Sequence, residues 1–171
     1  MNFKNDIIKR RKYGKKGEYF MLYHASGEIV EFPEIRKSRY TKDFSWGFYC
    51  TNNFEQAKKW AERNREYATV NYYTFTENRD LKILKFENMT DEWLDFIAAC
   101  RKGLIHDYDI VEGPMADDTV WNYVNDFLAE EITRNIFWEL AKFKYPTHQI
   151  SFHTLRALDC LQFERSEIVN E

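Results

Sequence analysis

Three short segments place groups able to do chemistry at the end or in the middle of an apolar pattern: Tyr23-His24-Ala25-Ser26, Trp46-Gly47-Phe48-Tyr49-Cys50-Thr51, and His148-Gln149-Ile150-Ser151-Phe152. The first carries an imidazole. The second opens on Gly47 and runs through aromatic residues, with Trp60 eleven residues after Tyr49. The third sets an amide, Gln149, between strand-forming residues. An imidazole and an amide can hydrogen-bond a sugar hydroxyl. Two aromatic faces can hold a flat cation by stacking and cation–π attraction, each worth about 0.5–2 kcal/mol. Taken singly, each residue also has a plainer reading: His24 as a strand-end histidine bonded to a carbonyl, Tyr49 and Trp60 as core aromatics, Gln149 as a surface amide.

Other catalytic patterns are missing from the sequence, which has no Gly-rich phosphate loop, HExxH, GxSxG or paired-cysteine knuckle. His106-Asp107-Tyr108-Asp109 reads as a turn entering a strand rather than a ligand set, and no metal is expected. Glu130-Glu131 reads as two acids placed for a helix macrodipole rather than an acid/base pair. Cys50, Cys100 and Cys160 are far apart and odd in number, which fits reduced thiols. Cys50 itself reads as a small buried residue of an aromatic strand.

The elements that position these groups must come from 171 residues, 44% hydrophobic and 18% aromatic, enough for one domain with a real core. The first 17 residues hold seven basic side chains against one acid, Asp6, so a basic arm (1–17) precedes an acidic domain (18–171). No run approaches the roughly 18 apolar residues of a membrane helix, and the N-terminus has no apolar secretion segment. The expectation is a cytoplasmic protein with no membrane partner.

Strands are expected over Glu18 to His24, Gly47 to Thr51, Val70 to Thr76, Leu81 to Phe86, Asp107 to Val111, His148 to His153 and Gln162 to Ile168. Asn78-Arg79-Asp80 reads as the turn joining the third and fourth, and Gly113-Pro114 as the stop of the fifth. A helix capped by Asn52 or Asn53 is expected through Ala68, another from Thr90 to Gly103, and Asp117 and Asp118 cap a third over Thr119 to Leu128. Glu130 to Phe143 reads as continuing it, and Thr154 to Leu161 as a short turn of helix. The charged stretch from Pro33 to Ser45 has no period and reads as a loop over a site. The sum is an α+β fold with mainly antiparallel sheets and flanking helices.

In the order and spacing of these segments the sequence resembles the ADP-ribosyltransferase superfamily of the diphtheria-toxin and poly(ADP-ribose) polymerase type. More closely it resembles an uncharacterised bacterial domain family of that fold, often encoded as toxins beside a small antitoxin protein. The closer resemblance runs from Glu18 to the end and includes Tyr108-Asp109-Ile110-Val111-Glu112-Gly113-Pro114. It implies an ADP-ribosyltransferase-like fold of split sheets and an enzyme using NAD as co-substrate. Its partners would be a macromolecular acceptor, protein or nucleic acid, and an antitoxin. Hydrolysis of NAD is the nearest variant, and a catalytically silent NAD-, ADP-ribose- or protein-binding module is the alternative.

Residue by residue, the resemblance implies that His24 bonds the nicotinamide-side ribose and that the main chain at Ala25, where enzymes carry glycine, holds the carboxamide. Tyr49, on the strand opened by Gly47, and Trp60 would sandwich nicotinamide, and Arg39 would face the adenosine half. Ala57 replaces a hydroxyl residue that often touches the carboxamide. Gln149 stands where a glutamate is usual; the closer family also has glutamine there. Breaking the bond to ribose passes through an oxocarbenium-like state that a nearby carboxylate stabilises. Glutamine lacks that charge. Glu112, Asp117 and Glu130 are the acids considered as substitutes.

Overall fold

The structure, a computed structural model, describes residues 19–37, 42–63, 67–116 and 118–169. Within them the chain runs β1 (Tyr19–Ser26), β2 (Phe48–Cys50), α1 (Phe54–Glu62), β3 (Thr69–Thr76), β4 (Ile83–Lys85), α2 (Asp91–Arg101), β5 (Ile110–Pro114), α3 (Asp118–Leu128), α4 (Arg134–Ala141), β6 (His148–Phe152), α5 (Leu155–Leu158) and β7 (Leu161–Ile168). One sheet has the order β1-β3-β7 and the other β2-β6-β5-β4. Every pairing is antiparallel except β4 with β5. The fold is α+β, with two mostly antiparallel sheets.

Side-chain alternation along the strands separates three layers of core. Leu22 of β1, Phe48 and Cys50 of β2, Tyr73 and Phe75 of β3 and Phe152 of β6 fill the space between the sheets. Tyr49, one residue out of phase with Phe48, joins Trp93, Leu94, Ile97, Val111, Val124 and Phe137 under α2, α3 and α4. On the far side, Ala57 and Ala61 of α1 pack on Val70 and Tyr72 of β3. Two small residues on that face let the helix lie close to the sheet, which sets where Trp60 points.

Helix starts follow their caps. The side chains of Asn53, Thr90, Thr133 and Thr154 accept from the N–H groups of Gln56, Trp93, Ile136 and Ala157, each worth roughly 1 kcal/mol. Gly103, at φ 99°, takes the left-handed position just past α2.

Four expectations are corrected. The turn at Asn78-Arg79-Asp80 does not make a hairpin: Asp80 N–H bonds Asn78 Oδ1, and Lys82 N–H bonds the Asp109 carboxylate, which leads the chain into the other sheet beside β5. Gly113 and Pro114 do not stop β5 but pair with Gln149 and His148. The helix from Phe54 ends at Glu62, and Ala68 lies outside it, buried against the sheet. Glu130 to Phe143 does not continue α3: Glu130 takes φ 60° and Thr133 caps a separate helix. The basic arm 1–17 lies outside the described residues.

Candidate functional site

Among the described residues the two sheets meet edge to edge at a single bridge, where Tyr23 and Thr51 exchange backbone hydrogen bonds of 2.8 and 2.9 Å. Beyond it the strands part. His24 Nδ1 lies 2.7 Å from the Tyr49 carbonyl, taking the place of a backbone donor. A carbonyl only accepts, so Nδ1 carries the proton, and in the neutral ring Nε2 is the acceptor nitrogen. The ring stacks on Phe48 with centroids 4.2 Å apart, fixing its plane. Alternate residues of a strand present their N–H and C=O to the same edge. Because Tyr23 uses that edge for Thr51, Ala25 presents its own pair to the gap.

That gap is a cleft of about 500 Å³ lined by His24, Ala25, Lys42, Tyr49, Trp60, Arg63, Met115, Ala116, Trp121 and Gln149. The volume lies in the range of small-molecule sites, roughly 300–1,000 Å³. Five residues singled out from the sequence therefore share one cleft: His24, Ala25, Tyr49, Trp60 and Gln149. Gly47 is not in the lining; it lies against His153, and a Cβ there would come within 2.9 Å of the imidazole and of the Phe152 carbonyl oxygen. Ala57 is fully buried against β3 rather than in the cleft. Arg39 lies outside the described residues.

Tyr49 is only 8% exposed. Its hydroxyl donates to Ser45 O at 2.6 Å and accepts from Phe44 N–H at 3.2 Å, so the phenol braces the turn before β2. Burial, and secondarily Asp43, holds its pKa well above the ordinary value, and it stays a neutral phenol. Lys42 Nζ sits over the Tyr49 ring, 4.5 Å from its centroid, a cation–π contact. Lys42 and Arg63 bring positive charge to the cleft.

The residue that sequence reasoning missed is Asp43. The residue is 7% exposed. It accepts from Gln149 Nε2 at 3.1 Å, Ala116 N–H at 2.9 Å and Arg101 Nη2 at 2.5 Å. Of the three other acids, Glu112 pairs with Lys85 at 3.4 Å away from this cleft, Glu130 is exposed in the α3–α4 turn, and Asp117 is outside the described residues. Asp43 carries no signal of its own in the sequence, being one charge in an aperiodic charged stretch.

The remaining candidates have structural work. Asp107 pairs with Lys82, and Asp109 accepts from Thr154 Oγ1 at 2.6 Å and Arg156 Nε at 2.7 Å. Arg156 above all, with Thr154 and the Lys82 N–H, holds the Asp109 pKa down at about 2, against the opposing effect of burial. Cys50 is buried, which pushes its thiol far up. Among the described residues, no three His, Cys, Asp or Glu side chains converge to hold a metal ion, and no helix is long and apolar enough to cross a membrane.

Residues 20–163 match the model of a protein family of unknown function, DUF3990. The chain belongs to that family. No curated protein and no solved structure matches it.

Proposed function

We propose that the cleft binds NAD and that the protein is an ADP-ribosyltransferase, acting on a macromolecule as the toxin of a bacterial toxin–antitoxin pair, within an ADP-ribosyltransferase-like fold. The observation that carries the reading is the convergence of His24, Ala25, Tyr49, Trp60 and Gln149 on one cleft. These residues come from three strands and a helix, and neither a buried core nor a solvated surface requires them to meet.

The lining suits the dinucleotide. Trp60 and Tyr49 offer aromatic faces for a cationic ring. A ring stacked on Tyr49 would take the place of the Lys42 ammonium, and the positive charge that Lys42 and Arg63 bring to the cleft suits a diphosphate. The Ala25 N–H and C=O are the right pair for a carboxamide, and His24 Nε2 accepts from a ribose hydroxyl. In the reaction the bond between C1′ of the ribose and the pyridinium nitrogen breaks, and its electron pair leaves with neutral nicotinamide. The acceptor's nucleophilic atom then bonds to C1′ and loses a proton to solvent or a base; water in that role gives hydrolysis. Gln149 Oε1 facing the sugar would stabilise the positive charge that builds on it.

The test is thermal melting with and without NAD, in excess over its dissociation constant. The expected result is a rise of several degrees for the native chain, lost in Trp60→Ala and His24→Ala while both variants still unfold in one cooperative transition. No rise for the native chain would remove the nucleotide reading and leave an interaction module. A rise without nicotinamide release would leave a silent binder.

A further inference from the structure

We infer that Asp43 is a positioning residue for Gln149, and that its presence is why an amide rather than a carboxylate stands at position 149. As a statement about turnover this rests on reading the cleft as an NAD site.

The two oxygens of Asp43 are shared among four donor groups from three parts of the chain. Oδ1 receives Arg101 Nε at 3.2 Å and Nη2 at 2.5 Å from the end of α2. Oδ2 receives the Ala116 N–H at 2.9 Å, just before α3, and Gln149 Nε2 at 3.1 Å from β6. A carboxylate is an acceptor only, so the amide end facing it must be the NH₂ group. That removes the ambiguity of an amide flip. The Gln149 carbonyl oxygen and second amide hydrogen are then held in a fixed orientation on the cleft wall. Arg101 is itself held, by Asn125 Oδ1 at 2.9 Å and by stacking over Trp121 at 5.5 Å.

This arrangement changes what Gln149 can do. A hydrogen bond from an amide to a carboxylate is charge-assisted and pushes electron density towards the amide oxygen. The negative charge absent from the Gln149 side chain is thus present one bond further back, relayed through the amide and balanced by Arg101. A glutamate at 149 would set two carboxylates about 3 Å apart, and such a pair cannot stay doubly ionised without large cost. Asp43 makes glutamate the wrong residue here.

The test uses the full chain as native protein, Gln149→Glu, Asp43→Asn and the double variant. Each is measured for nicotinamide release from NAD (kcat and KM separately) and for ligand-free melting temperature. Asp43→Asn is expected to lower kcat at least tenfold while KM changes less than about threefold. Gln149→Glu is expected to lower both kcat and melting temperature, and adding Asp43→Asn to it to recover part of both losses, so that the two effects do not add. Additive effects, or a Gln149→Glu protein as stable and active as the native one, would overturn the inference. Gln149→Glu leaves the Asp43–Arg101 pair in place and decides the matter even where Asp43→Asn does not fold. If the native chain releases no nicotinamide, the turnover reading falls, and the melting temperatures alone decide the coupling: partial recovery upholds it, additivity rejects it.

Discussion

His24 and Tyr49 each do two things at the cleft, one of them structural. The imidazole anchors the Tyr49 carbonyl through Nδ1 and turns Nε2 to the acceptor role. The Tyr49 ring lines the cleft while its hydroxyl ties down Phe44 and Ser45. The two roles of Tyr49 can be separated. Tyr49→Phe keeps the ring but leaves the buried Phe44 N–H without its acceptor, so it should lower unfolding free energy by about 1–3 kcal/mol in urea titration while the NAD-induced shift persists. A lost shift with unchanged stability would mean that the hydroxyl, not the ring, meets the ligand. The residues legible in the sequence, His24, Tyr49, Trp60 and Gln149, all lie on elements whose periodicity can be read. Asp43 was not legible because its role exists only when Arg101, 58 residues away, and Gln149, 106 residues away, are folded against it.

Among the elements, the strand opened by Gly47 makes a tight joint with β6. The chain there passes so close to β6 that an added methyl would meet the Phe152 carbonyl and the His153 ring, whose Nδ1 donates to Trp46 O at 2.8 Å. Gly47→Ala should therefore destabilise by roughly 1–3 kcal/mol and weaken NAD binding indirectly by shifting Tyr49. Unaltered denaturation midpoints would refute the close packing. The glycine was visible in the sequence, but as a marker of a ligand slot; its structural reason, contact with a residue 106 positions later, was not. Strand positions and caps such as Asn53 and Thr90 were readable from local chemistry. The pairing of β4 was not, because the hydrogen bond from Lys82 N–H to Asp109 overrides the turn that precedes it.

For the whole molecule, pH sets a window of stability. Burial, with His106 beside it, pulls the His153 pKa from 6.5 down to about 4, against the opposing effect of its bond to Trp46 O. Between those values the unfolded chain binds a proton that the folded chain refuses, so stability falls as pH drops from about 6.5 to 4. That amounts to about 3 kcal/mol at most. Urea titrations at pH 7 and 4.5 should reveal the loss, and His153→Gln should reduce the difference between the two; an equal difference in both proteins would place the acid sensitivity elsewhere. Asp109 acts in a lower window, its contribution persisting above its ordinary 3.8 and lost towards 2. The two sheets, parted beyond one bridge, give the molecule its cleft, and the chemistry assigned to that cleft has one decisive assay. Purified protein incubated with NAD and a bacterial lysate should release nicotinamide and transfer labelled ADP-ribose to a protease- or nuclease-sensitive product, with Gln149→Ala losing turnover more than affinity. An absence of both nicotinamide release and NAD binding in the native chain would contradict the account.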